Sequence, residues 1–133
     1  MSGEFLSPEW FARLDAAAAG AAPPYRGPGL VVEVRVVGGD DGPLTYHVVL
    51  EDGAPLAYRV GPADGEADAS YDQTWEDAAA QAVGRYDPAV GFMQGTLKVK
   101  GSSRPLFELF RLWADPAHRE ALVRLGLEAG LGA

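Results

Sequence analysis

Three segments in the first half of the chain alternate apolar and polar side chains with a period of two. This period puts every second side chain on the same face of a β-strand, so residues 30–37, 44–50 and 56–60 each predict a half-buried strand. Glycine-containing turns at 38–42 and 51–53 separate them, which is typical of an antiparallel meander with one solvent-exposed face. The side chains predicted to face inward are Leu30, Val32, Val34, Val36, Leu44, Tyr46, Val48, Leu50, Leu56, Tyr58 and Val60.

Two later segments show the same alternation in shorter form. Residues 66–71 predict a fourth strand, and residues 96–100, which are followed by a glycine, predict a fifth. The predicted sheet therefore has five strands. Its predicted outward side chains in these two segments are Glu66, Asp68, Ser70, Lys98 and Lys100, and its predicted buried ones are Leu97 and Val99.

A helix is predicted near the N-terminus by its capping residues. Ser7 is able to accept a hydrogen bond from a free backbone N–H, Pro8 suits the first helical position, and Glu9 is favoured there by the helix dipole. Trp10, Phe11 and Leu14 follow at helical spacing. We therefore expect a helix that ends near Gly20 and packs an aromatic face on the sheet.

Helical spacing also predicts elements at 75–83, 88–93, 104–113 and 116–127. The third of these is apolar nearly all round, which is typical of a helix with neighbours on most sides. The predicted apolar stripes of the first and last are Trp75, Ala78, Ala79, Ala82 and Val83, and Leu122, Val123, Leu125 and Leu127.

The length of 133 residues is that of one ordinary domain, so we expect residues 1–133 to form a single unit. The sequence contains no cysteine, which excludes disulfides, thiolate metal sites and thiol nucleophiles and is compatible with a reducing compartment. The N-terminus lacks a secretory signal pattern, and no stretch has the ~20 apolar residues of a membrane span. We therefore expect a cytoplasmic protein without stable membrane anchoring.

The charge balance argues against nucleic acid as a partner. Eleven Lys and Arg residues against nineteen Asp and Glu give a net charge of −8, which repels a phosphate backbone unless a basic patch is set apart. The basic residues alternate with apolar ones, as on a solvated surface, and form no such patch. We expect no nucleic-acid binding.

The sequence offers no pattern for catalysis, a metal or a cofactor. His47 and His118 are far apart in sequence and lack ligand spacing. The acidic pairs Asp40-Asp41, Glu51-Asp52 and Glu76-Asp77 lie in turns or at a helix start, where turn chemistry and capping explain them. We therefore predict no catalytic residues, no metal ligands and no cofactor.

One segment carries a resemblance to a known family. Residues 86–101, Tyr-Asp-Pro-Ala-Val-Gly-Phe-Met-Gln-Gly-Thr-Leu-Lys-Val-Lys-Gly, resemble the stretch in which sterol carrier protein type-two domains lead a short helix through Phe-Met-x-Gly into a Leu-Lys-Val strand. The order of elements also fits that family. Two features depart from it: the chain ends in Gly-Leu-Gly-Ala without a peroxisomal address, and Arg104-Pro105 replaces a more acidic helix opening.

The resemblance implies an α+β domain in which helices cover one face of a five-stranded, mainly antiparallel sheet, with an apolar cavity between the layers. It also implies binding or transfer of a fatty acid, fatty acyl-CoA, phospholipid or sterol. On the matched positions it suggests that Phe92, Met93 and Leu97 line the inner layer. The full predicted ligand-binding set is Trp75, Phe92, Met93, Leu97, Val99, Leu106, Phe107, Phe110 and Trp113.

Two other functions stay open at this point. The apolar helices 104–113 and 116–127 would also suit an interaction module that packs against a second copy, so the chain is expected to be a monomer or a homodimer. An enzyme acting on an apolar substrate is the third hypothesis, although no nucleophile and base occur at a recognisable spacing.

Overall fold

The computed structural model of the protein describes residues 5–39, 42–95 and 97–130. The chain has an α+β arrangement, in which four consecutive strands follow the first helix and one further strand lies between two pairs of helices. In chain order the elements are α1 (Pro8–Ala21), β1 (Leu30–Val37), β2 (Leu44–Leu50), β3 (Ala57–Val60), β4 (Ala69–Thr74), α2 (Trp75–Ala82), α3 (Pro88–Met93), β5 (Lys98–Gly101), α4 (Arg104–Trp113) and α5 (Pro116–Glu128).

The five strands form one sheet in the order β3-β2-β1-β4-β5. Strands β1, β2 and β3 are the predicted antiparallel meander, and β5 pairs antiparallel with β4. The pairing of β1 with β4 is parallel, with Val34 opposite Tyr71. The predicted fold class, a mainly antiparallel five-stranded sheet with helices on one face, is confirmed.

The alternation in the strands decides which face of the sheet is covered. Valines of β1 point inward together with tyrosines of β2, β3 and β4, and these side chains are buried under the helices. The intervening side chains, such as Glu33 and His47, are only partly buried. The inner face consists of Val32, Val34, Val36, Tyr46, Val48, Leu50, Tyr58, Ala69, Tyr71 and Gln73.

Side-chain caps begin four of the helices, as short polar side chains do when they accept from free N–H groups. Ser7 and Thr74 cap α1 and α2 through their hydroxyls, and Asp87 and Asp115 cap α3 and α5 through their carboxylates. The accepted bonds come from the backbone N–H groups of Trp10 at 3.1 Å, Asp77 at 3.0 Å, Ala89 at 2.9 Å and His118 at 3.1 Å.

The predicted fourth strand is shifted in the structure. Strand β4 starts at Ala69 instead of residue 66 and extends to Thr74. Its extra residues continue the parallel pairing with β1 as far as Val37. Asp68 lies just before the strand, where its carboxylate accepts a hydrogen bond from the Val31 N–H at 2.8 Å.

Several side chains predicted to face inward are exposed, including Trp75 of the predicted α2 stripe by 37% and Met93 by 82%, and those predictions are wrong. Val60 is 49% exposed at the last position of β3, and Leu127 is 55% exposed in the last turn of α5. Helix α4 is not enclosed on all sides, because Phe107 is 52% exposed. Predictions for residues 1–4, Asp40, Asp41, Thr96 and 131–133 lie outside the described residues.

Candidate functional site: an apolar cavity under the helices

A cavity of about 100 Å³ lies between the inner face of the sheet and the helices α1, α2, α4 and α5. We call it the apolar cavity, since most of its walls are aliphatic and aromatic side chains. Its lining comprises Phe5, Leu6, Trp10, Phe11, Leu14, Tyr46, Tyr58, Gln73, Ala78, Gln81, Ala82, Gly84, Tyr86, Asp87, Pro88, Phe110, Trp113, Ala114, Arg119, Leu122 and Val123.

Helix α1 supplies the aromatic wall of the cavity. Trp10, Phe11 and Leu14 lie on one side of the helix at helical spacing and are buried. The ring of Phe5 meets Trp10 edge to face at 5.2 Å between centroids, and Phe11 lies 4.8 Å from Tyr46 of the sheet. These ring contacts hold the wall against the floor of the cavity.

The floor of the cavity is polar. Tyr46, Tyr58 and Gln73 reach it from the inner face of strands β2, β3 and β4. The indole N–H of Trp113 donates to the Tyr58 hydroxyl at 3.0 Å, and the amide of Gln73 donates to Gln81 at 2.8 Å. Buried tyrosine and tryptophan usually pair their polar atoms in this way.

The tyrosines at the floor are uncharged. Burial raises the pKa of Tyr46 and of Tyr58 well above the ordinary value, because a phenolate loses its hydration there. The bond from Trp113 opposes this effect at Tyr58 without cancelling it. Both phenols are therefore neutral hydrogen-bonding groups at physiological pH.

Two opposite charges occur at the exposed rim of the cavity. The Arg119 guanidinium donates to the Gly84 carbonyl at 3.2 Å, and the Asp87 carboxylate caps α3. Both residues are exposed. Among the described residues that line the cavity, these two are the charged ones, and their charges offset each other.

The nine residues of the predicted ligand-binding set are spread over three environments. Phe110 and Trp113 line the apolar cavity. Leu97 and Leu106 are buried in the core, and Phe92 and Val99 pack against it. Trp75, Met93 and Phe107 are exposed by 37%, 82% and 52%. The seven residues other than Phe110 and Trp113 do not line this cavity, and their role in binding stays a prediction.

Most of the cavity wall was not in the predicted set. Helix α1 was predicted to pack an aromatic face, but the sequence did not show that this face borders a void. The tyrosines of β2 and β3 were predicted to face inward, and a buried phenol needs a hydrogen-bond partner. The need to pair these inward-facing phenols was the feature of the sequence that could have predicted a polar floor.

Metal and acid–base chemistry have little support in the described part of the chain. No group of three His, Asp or Glu side chains there is arranged to hold a metal ion. His118 is fully buried, its Nδ1 donates to the Leu112 carbonyl at 3.0 Å, and burial lowers its pKa. No helix within the described ranges has the length and apolar character needed to cross a bilayer.

Comparison with known proteins finds similarity at the level of structure. No protein-family model matches the chain, and no curated protein matches it. Palmitated SCP2L2 from Aedes aegypti superposes with a TM-score of 0.61 and 17% identity, over 77% of this chain and 89% of that chain. A crystal structure of sterol carrier protein 2 gives a TM-score of 0.61 and 17% identity, over 94% and 98% of the two chains.

Part of a larger protein is also similar. A double mutant of the sec-alkyl sulfatase PisA1 gives a TM-score of 0.57 and 26% identity, over 80% of this chain but 16% of that chain. The similarity to the two sterol carrier structures spans nearly their whole length, with the sheet and helices described above. The chain therefore has the fold of the sterol carrier protein type-two domain.

Proposed function

We propose that this chain binds and carries an apolar lipid or lipid-like ligand in the apolar cavity, and that it catalyses no reaction. The observation that carries the proposal is a void walled by Trp10, Phe11, Phe110 and Trp113 inside this fold. The palmitated state of the Aedes aegypti domain supports a fatty acid as one class of ligand. Fatty acyl-CoA, phospholipid and sterol are the other classes, and we place the protein in the cytoplasm.

The driving force in this proposal is removal of hydrocarbon from water. Each buried CH₂ group contributes about 0.8 kcal/mol, with little demand for hydrogen bonds along the chain. Selectivity along the hydrocarbon is therefore expected to be broad. The polar floor and the charged rim, with Arg119 and Asp87, are the places where a ligand's polar groups would be distinguished.

A long ligand requires the cavity to widen. Its volume of about 100 Å³ is below the roughly 300–1,000 Å³ of pockets that enclose drug-sized ligands. Helix α2 buries one side chain, Ala78, whereas α1 and α4 bury four and six. We expect α2 and the residues up to Gly84 to move outward when a long chain enters, because α2 has fewer side chains buried in the core than α1 or α4.

Native mass spectrometry of the protein as purified tests the proposal, followed by denaturation and lipid analysis of what is released. The expected result is a fatty acid or phospholipid at near-stoichiometric ratio, or binding of added acyl chain by an empty protein. A protein that is empty and binds neither an added acyl-CoA, a fatty acid nor a sterol would contradict the proposal.

A second candidate function is an interaction or dimerisation module. It is favoured by an exposed apolar patch on α3 and α4, formed by Val90, Met93 and Phe107. Analytical ultracentrifugation separates the two candidates. A tight dimer that takes up no lipid would support the interaction module, whereas a lipid-binding monomer would exclude it.

A further inference from the structure

The inner face of the sheet carries a third buried tyrosine close to the apolar cavity. Val34 of β1 lies opposite Tyr46 on one side and opposite Tyr71 on the other. The Cα atoms of the two tyrosines are therefore roughly 10 Å apart, on the same face of the sheet. Tyr58 faces inward from β3, opposite Val48. Three phenols thus converge on one region of the inner face.

Tyr71 differs from Tyr58 in its hydrogen bonding. Its side chain is 1% exposed, and its hydroxyl has no hydrogen-bond partner among the described residues. A buried hydroxyl without a partner costs about 1–3 kcal/mol relative to a paired one. Burial raises the pKa of Tyr71, and repulsion from the phenols of Tyr46, Tyr86 and Tyr58 adds to that effect.

The Tyr71 hydroxyl is closed off from the cavity at its present volume, since Tyr71 is not among the lining residues. Its neighbours Tyr46 and Tyr58 do line the cavity. Because α2 packs on β4, which carries Tyr71, a ligand that widens the cavity by displacing α2 is expected to reach this hydroxyl. The Tyr58 hydroxyl already accepts the bond from Trp113, so its own proton is directed elsewhere and can be donated to the same ligand.

We propose that the polar floor selects a ligand whose buried end is uncharged and carries an acceptor oxygen, and that the hydroxyls of Tyr71 and Tyr58 donate to this oxygen. The proposal rests on the proposed function of the apolar cavity. Ketones, esters and alcohols have the required chemistry.

A carboxylate at the floor is disfavoured, because a buried anion needs a paired charge and the described floor residues Tyr46, Tyr58 and Gln73 are neutral. The Arg119 guanidinium is exposed at the rim. An acidic ligand would therefore keep its carboxylate at the rim, where water and Arg119 are available, and leave the floor hydroxyls without a new partner.

The test compares three probes of equal chain length, octan-2-one, octane and octanoate, in titrations followed by tryptophan fluorescence. The wild-type chain is expected to bind octan-2-one more tightly than octane. Tyr71→Phe is expected to weaken octan-2-one binding by about five- to tenfold, the size of one net hydrogen bond, and to leave octane binding unchanged. Its thermal stability is not expected to fall, because the lost hydroxyl made no bond.

Tyr25→Phe is the matched control. Tyr25 is also 1% exposed, but its hydroxyl donates to the Pro28 carbonyl at 2.9 Å and it does not line the cavity. The Tyr25→Phe substitution is expected to change neither the affinity for octan-2-one nor the affinity for octane. The inference is wrong if Tyr71→Phe leaves octan-2-one binding unchanged or weakens octane binding equally. It is also wrong if octanoate binds best. A wild-type chain that binds none of the three probes would instead contradict the proposed function.

Discussion

The segment 86–101, which carries the family motif, and helix α1, which lies outside that motif, contribute different kinds of side chain to the apolar cavity. Tyr86, Asp87 and Pro88 at the start of the segment line it, but Val90 and Met93 of α3 are exposed. Helix α1 contributes three lining residues of its own, all of them buried. The motif therefore borders the cavity only with its first three residues, and its described residues 89–95 and 97–101 do not line it.

The difference has a physical cause in the two helices. Helix α3 has six residues and buries Pro88 and Gly91, and its Phe92 ring packs against Phe107 and Phe110 of α4 instead of lining the cavity. Helix α1 has fourteen residues, and the 3.6-residue period puts its aromatic side chains on one stripe.

Gly126→Ala is expected to have the largest effect on the cavity wall. A Cβ atom at Gly126 would overlap the backbone carbonyl of Ala82, where α5 packs closely on α2. Overpacking against backbone costs about 3 kcal/mol of unfolding free energy. The measurement is denaturant unfolding.

Gly20→Ala in α1 is the matched control, because no neighbouring atom lies within 4 Å of its added Cβ. It is expected to stabilise the protein by about 0.5–1 kcal/mol. Equal stability changes for the two alanine variants would contradict the close packing of α2 on α5.

Ala78→Leu is expected to reduce affinity for an acyl chain by about tenfold or more, because added methylene groups occupy the cavity that the ligand needs. Calorimetric titration with a fatty acid measures it. Ala80→Leu, on the same helix but not lining the cavity, serves as the control. If the two variants lose affinity equally, the ligand does not lie under α2.

The buried His118 predicts a pH dependence of stability. Burial lowers its pKa, and its Nε2 has no hydrogen-bond partner among the described residues, although Asp115 nearby opposes the shift. Below pH 6.5 the unfolded chain takes up a proton that the folded chain excludes. Stability is therefore expected to fall with decreasing pH, by up to about 1.4 kcal/mol per pH unit from this group.

Unfolding of the His118→Leu variant between pH 7 and pH 5 checks this pH dependence. The variant is expected to lose the part of the pH dependence of the unfolding free energy that His118 contributes. The His47→Leu variant, changed at a half-buried position on the other face of the sheet, is expected to keep it. A slope that both variants retain in full would assign the pH dependence to other groups.

Met93→Ser is expected to have the smallest effect. With its side chain 82% exposed, the change is expected to alter the free energy of unfolding by less than about 0.5 kcal/mol and to leave ligand affinity unchanged. Thermal unfolding and the same calorimetric titration measure both. A clear loss of affinity would instead support the ligand-binding set predicted from the sequence.

The sheet was predictable because burial of one face of a strand requires apolar side chains at every second position, and this alternation is visible in the sequence. The limits of β1 and β2 agree with the alternating pattern. Two helix starts were predicted from a capping residue followed by proline, at Ser7-Pro8 and at Asp115-Pro116. The shift of β4 was not predictable, because its last residues owe their strand conformation to parallel pairing with a distant part of the chain.

The cavity was less predictable, because a void depends on how far packed elements stand apart and leaves no period in the sequence. Phe110 and Phe107 lie three residues apart on α4 and look alike in the pattern, but one lines the cavity and the other is exposed. What separates them is the position of α3 and α5 against α4, which is set by tertiary packing.

An isotope-filtered NOE experiment on the labelled protein with an unlabelled bound acyl chain tests the location of the ligand most directly. The proposed location predicts contacts from the ligand to the methyl groups of Leu14, Leu122 and Val123, which line the cavity, and none to the methyl group of Met93. Contacts to Met93 and the ring of Phe107, without contacts to Leu14, would contradict it.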